Sequence, residues 1–249
     1  MTDVDPTPDA IRSFVDSMPR GYRYVFSARG IRDHARLALR RGGAIARVGR
    51  FHSARDLGAA PVCVVADDRP GLLAFISAAL VMERLDVVHA EAYTRRRDDA
   101  RLEAVDLFWV RDLRAATAED LSQERLQALE DTLGRLLRGE VSVAEASAAA
   151  GTRPPTDAYE ASVRFLEGGD GTLSTLEVQT VDRAGLLLAL SHALFARGVQ
   201  IIRSEVHTDR GAVRDRFEIQ ELDGSPITAD RRLEIQVAVM DAIDPVRPR

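Results

Sequence analysis

Four residues able to carry binding chemistry occur twice with the same spacing. Asp68, Arg69, Gly71 and Leu72 lie in the run Asp-Arg-Pro-Gly-Leu-Leu, and Asp182, Arg183, Gly185 and Leu186 in the run Asp-Arg-Ala-Gly-Leu-Leu. Each run separates a short, partly β-branched stretch from an apolar stretch of helical spacing, so it belongs where a strand turns into a helix. Unpaired amides at such a helix start point outward along a favourable dipole and suit a carboxylate or carbonyl oxygen. Gly71 and Gly185 let the backbone approach that group closely, while Leu72 and Leu186 offer amides and send their side chains to the core. Asp68 and Asp182 have two readings, as helix caps or as partners for a bound cation. Arg69 and Arg183 likewise could hold a carboxylate or be solvated surface charges.

Other chemistries lack their residues. The chain has 249 residues and a net charge of -5, and all 34 basic residues are arginine. Without lysine there is no Schiff base and no phosphate-loop lysine. The acidic balance disfavours non-specific nucleic-acid binding, and the Arg95 to Arg97 cluster, followed by Asp98 and Asp99, is expected at a solvated hairpin tip. His34, His52, His89, His192 and His207 are scattered without metal-ligand spacing, and His89 is expected as a partly exposed strand residue. Ser77 and Ser191 fall inside helices with no nucleophile elbow, and the single cysteine, Cys63, sits in an apolar run as a buried thiol. No metal, no cofactor and no catalytic group is therefore expected. No apolar run approaches the roughly 18 residues of a membrane span, and the start of the chain lacks a signal pattern, which predicts a cytoplasmic protein.

The elements that position the paired turns are themselves duplicated. At an offset of about 114 the pairs Asp68/Asp182, Arg69/Arg183, Gly71/Gly185, Ser77/Ser191, Glu91/Glu205 and Thr94/Thr208 are among about ten identities in a window of about 27 residues. In each copy a strand (Val62 to Ala66; Leu176 to Thr180) precedes the turn. A helix follows, ending near Arg84 or Gly198, then an alternating strand (Asp86 to Thr94; Gln200 to Thr208) and its hairpin partner (Leu102 to Val110; Val213 to Glu221). Asp106/Asp215 and Phe108/Phe217 align at a smaller offset, so the first hairpin is longer. A closing helix spans roughly Ser122 to Arg138 and Ala229 to Ile243.

A four-stranded sheet needs one strand more, and it is found upstream. Ala44 to His52 and Ala161 to Leu166 share Arg-Phe at the same offset, and each would form an antiparallel hairpin with the strand after it. The expected fold is α+β: two ferredoxin-like units, each an antiparallel four-stranded sheet with two helices on one face, permuted to ββαββα. Helices at Asp9 to Ser17 and Ala28 to Arg41 precede them. The expected boundaries are 1–43 for the N-terminal helical segment, 44–140 and 159–245 for the units, and 141–158 for an Ala/Ser-rich linker ending in Thr-Arg-Pro-Pro-Thr.

The strand, D-R-x-G-L-L turn, helix and strand order resembles the ACT domain, a small regulatory fold that binds amino acids. With the tandem spacing, the DGSPI turn at Asp223 to Ile227 and the segment Phe14, Met18, Pro19, Tyr22, the chain is similar to the carboxy-terminal region of the protein-PII uridylyltransferase/uridylyl-removing family. The resemblance covers about residues 11 to 243. It implies a non-catalytic sensor of an amino acid, glutamine first, bound where units pair edge to edge within the chain or in a homodimer, and acting on a protein partner. Where ACT domains often carry an asparagine at the next strand, this chain has Asp86 and Gln200. Pro70 stiffens the first turn and Ala184 leaves the second looser. The alternatives are a ligand-independent oligomerisation or docking module, and a remnant of the uridylyltransferase, although neither a nucleotidyltransferase signature nor a His-Asp dyad occurs.

Overall fold

The computed structural model describes residues 5–115, 121–150, 161–166 and 173–243. Alternating apolar strands and apolar-faced helices assemble into one eight-stranded sheet, antiparallel throughout, with helices against it. The first half runs β1 (Ala46–Arg50), β2 (Ala60–Asp67), α3 (Leu72–Met82), β3 (Leu85–Arg96), β4 (Leu102–Asp112) and α4 (Gln123–Leu137), after α1 (Pro8–Ser17) and α2 (Ala28–Arg41). The second half repeats the order as β5 (Ser162–Leu166), β6 (Ser174–Val181), α6 (Leu186–Ala196), β7 (Val199–Asp209), β8 (Ala212–Glu221) and α7 (Ala229–Ile243). Strand order across the sheet is β1-β2-β4-β3-β7-β8-β6-β5.

The two halves meet at β3 and β7, which pair through His89 with His207, Ala90 with Val206 and Glu91 with Glu205. Both strands carry a register shift at matching places, between Val87 and His89 and between Ile201 and Arg203. Each kink re-aims the strand start that leads into the seam. α3 and α6 lie side by side over the seam, and one core of Leu73, Ile76, Leu80, Phe108, Leu187, Leu190, Phe217 and their neighbours runs without a break beneath both halves. The outer strands are guarded by the closing helices. Glu130 of α4 accepts the Val48 amide at 2.8 Å, and Gln236 of α7 donates to the Val163 carbonyl at 2.9 Å.

α1 and α2 cover the opposite face of the first half only, over a second core of Phe14, Tyr22, Phe51, Cys63, Leu107 and Trp109. Arg41 fastens them. Its guanidinium reaches Glu103 at 2.8 Å and Asp67 at 2.6 Å, and Arg95 donates to the other Glu103 oxygen at 2.7 Å. Arg95 is thus part of a buried ion cluster and not of a solvated hairpin tip. His89 is buried rather than half exposed: it packs on Trp109 and bonds Glu91, which also takes Arg55 and Tyr93.

The Ala/Ser-rich segment expected as a linker contains a helix, α5 (Val143–Ala150), that packs on α3 with Ala146 fully buried. Small side chains let it approach closely, which composition alone conceals. The remainder of that linker, with its Thr-Arg-Pro-Pro-Thr run, lies outside the described residues. Among the described residues no helix is long and apolar enough to cross a membrane, and no cluster of potential metal ligands is found.

Candidate ligand site at the seam

Gly71 and Gly185 stand at the N-caps of α3 and α6 with φ of +76° and +77°, the left-handed region that only glycine enters without cost. No side chain caps either helix, so the capping role considered for Asp68 and Asp182 is not realised. Asp68 instead accepts from the Thr94 hydroxyl at 3.0 Å. The amides of Leu72 and Leu186 are turned back onto the carbonyls of Arg69 and Arg183, both at 3.1 Å, and are already committed within the turn. Arg69 and Arg183 also look inward. Arg69 donates to the Leu137 carbonyl at the end of α4 (3.0 Å), and Arg183 to the Ala242 carbonyl near the end of α7 (2.7 Å). A guanidinium on unpaired C-terminal carbonyls ties each turn to the closing helix of its own half.

Each turn faces the other half across the seam. The Asp182, Arg183, Gly185 and Leu186 turn shares a cavity with Ser77, Val81, Leu85, Asp86 and Val87 of the first half. The Asp68, Arg69, Gly71 and Leu72 turn shares one with Ser191, Phe195, Val199, Ile201 and Ile202 of the second. Asp86 therefore joins the turn of the opposite copy. Gln200 does not line the second cavity, although both its neighbours in β7 do. Each cavity offers about 30 Å³. That is room for a water or two, so a larger ligand must part the turn from the opposing strand.

The first cavity is acidic. Asp86 is pushed up to about 6, by burial first and by the facing Asp182 next, with Arg111 across β4 pulling the other way. Burial also raises Asp182, and it raises Asp215, fully enclosed at the cavity floor, well above the carboxylate range. In the second cavity burial raises Asp68, and Asp106 occupies the position of Asp215 with its carboxyl likewise far above the usual range. Burial favours the neutral form of both enclosed carboxyls, the form in which each can donate. Neither was assigned to the site from the sequence, though each is an aspartate at an aligned position with apolar residues two places to either side on the same strand face, Ala104 and Phe108 around Asp106, Val213 and Phe217 around Asp215. Ser77, Thr94 and Thr208 line the cavities as well, with the repeat alone as their signal, and Phe195, matched by Val81 in the first copy, joins them without that signal.

No protein-family model matches the chain. Over 238 residues, 92% of this chain, it is 29% identical to the bifunctional uridylyltransferase/uridylyl-removing enzyme of Phenylobacterium zucineum, of which it covers 24%. The same-named enzyme of Caulobacter vibrioides is 29% identical over 231 residues, 91% of this chain and 24% of that protein. The chain spans about a quarter of the length of the curated relatives it matches. Its homology is to the regulatory, ACT-type region of these enzymes. Among solved structures, the aspartate kinase from Synechocystis aligns with a TM-score of 0.40 and 14% identity, covering 74% of this chain and 28% of that one.

Proposed function

We propose that the chain is a regulatory module of two permuted ACT-type units that binds an amino acid, glutamine first, at the seam between them. The observation that carries this reading is that each glycine turn meets the strand start of the other half, so a ligand in either cavity touches both. A zwitterion suits these surroundings: carboxylates are present for its ammonium, and the dipole at the start of α6 favours its carboxylate, although the Leu186 amide itself is taken by the turn. Because the cavities are small, a ligand stabilises whichever arrangement of α3 and α6 admits it, and its differential affinity supplies the switching energy. What the module acts on would be a catalytic partner or domain of the uridylyltransferase kind. Calorimetry against the twenty amino acids tests the reading: heat and a thermal shift are expected with at least one, and silence from all would overturn it.

The small size of the cavities favours one second reading, a docking module that takes no ligand. It predicts that bulky replacements at Gly71 and Gly185 that still fold keep partner binding, whereas in a sensor they abolish the ligand response.

A further inference from the structure

We infer that only one of the duplicated cavities takes a ligand, the one between the 182–188 turn and the α3–β3 segment, and that Phe195 closes the other. The inference rests on the amino-acid-binding reading and says which site carries it.

Three differences between matched positions point the same way. Asp86 and Asp182 converge from opposite halves on one cavity, whereas Gln200, the counterpart of Asp86, stays off the second cavity. A pair of carboxylates from two halves is a clasp for an ammonium group, and such a group relieves their mutual repulsion. The second difference is Ser77. The residue lines the same cavity and is 2% exposed, and its buried hydroxyl has no hydrogen-bond partner among the described residues. Its counterpart Ser191, at the second cavity, donates to the Leu187 carbonyl at 2.6 Å. A buried hydroxyl without a partner is costly, and the cavity it lines is where a partner can arrive.

The third difference is steric. At the second cavity the Phe195 ring lies directly on Gly71: a Cβ built there would stand 2.8 Å from three of its ring carbons. Phe75 lies behind it, with ring centres 6.3 Å apart. The matched residue at the first cavity is Val81, a short branched side chain. The 68–74 turn thus has its approach filled by an aromatic ring, while the 182–188 turn has a small residue there and an unsatisfied hydroxyl beside it. The ligand is an α-amino acid whose ammonium lies between Asp86 and Asp182, whose carboxylate meets the start of α6, and whose side chain bears a polar group within reach of Ser77.

Calorimetry on the full chain, with each of the twenty amino acids as probe, gives the stoichiometry. One equivalent per chain is expected, at least tenfold weaker in D86N and D182N and unchanged in D68N. F195V/Q200D, which gives the second cavity the first cavity's residues at both of these matched positions, is expected to bind two equivalents. Two equivalents in the unaltered chain, or loss through D68N with D182N binding normally, would overturn the inference while leaving the amino-acid reading standing. Silence from every probe overturns both. A ligand-free measurement examines the clasp separately. Asp86 faces Asp182 and Asp215, with Arg111 and Arg183 as the nearby cations, so at pH 8 D86N and D182N should each raise the melting temperature. The double variant should then gain less than their sum. Additive shifts would show that the two carboxylates do not share a site.

Discussion

Adding one methyl group at Gly71 should reveal whether Phe195 presses on the turn. Two costs are expected in Gly71→Ala. The left-handed φ of +76° costs an alanine about 1–2 kcal/mol, and the Cβ pressed against the ring at 2.8 Å costs a further roughly 1–3 kcal/mol of overpacking, about 2–5 kcal/mol together. Phe195→Ala alone removes a half-buried ring from between the halves, at less than the roughly 3–5 kcal/mol of a fully buried one. In the double variant the clash is gone and only the conformational cost at residue 71 remains. The double variant should therefore be more stable than the sum of the singles by about 1–3 kcal/mol. Gly139 is the control: it has φ +74° with nothing within 4 Å of a built Cβ, so Gly139→Ala should cost only about 1–2 kcal/mol. Equilibrium urea unfolding of the five proteins gives each value. Additivity of the Gly71 and Phe195 changes within about 0.5 kcal/mol would refute the contact on which closure of the second cavity depends.

Further outcomes follow from the N-terminal helices. Arg41→Met leaves Glu103, fully buried, without one of its guanidinium partners and should cost about 3–5 kcal/mol in urea unfolding. Tyr22→Phe strips the Nδ1 of His34 of its 2.6 Å hydroxyl while its Nε2 is already without a partner, a loss of about 1–3 kcal/mol by the same measurement. Burial holds His34 down to about 3, so the folded chain resists its protonation. The stability this gives is complete above the ordinary histidine range and is lost as pH falls from about 6.5 towards 3. Melting temperatures across that window should fall more steeply for the unaltered protein than for His34→Gln, and parallel curves would remove His34 from the account.

Much of this architecture is legible in the residues. The Leu72, Leu73, Ile76, Leu80 spacing and its repeat at Leu186 define α3 and α6, and the Arg-Phe pairs locate β1 and β5. What resisted reading was long-range. Arg41 and Glu103 are distant in sequence, and nothing local distinguishes a buried arginine from a solvated one. α5 carries too few large apolar residues to announce itself, and its helix owes its place to α3. The positions of Asp68, Asp86 and Asp182 were readable as candidates, but their grouping was not. Which carboxylates share a cavity depends on the antiparallel register of β3 with β7, and a strand's own sequence does not name the edge it will join.

The guards at the two outer strands bear on how such a chain can assemble. With Glu130 occupying the Val48 amide and Gln236 the Val163 carbonyl, the molecule plugs its own sockets at both ends of the hydrogen-bonding direction. A second copy seeking to extend the ribbon would have to evict a side chain before gaining a backbone bond. Association is thereby steered away from strand addition and towards faces and helices. The open join that ferredoxin-like units leave at their edges has been spent internally, at β3 and β7, where the two seam cavities lie.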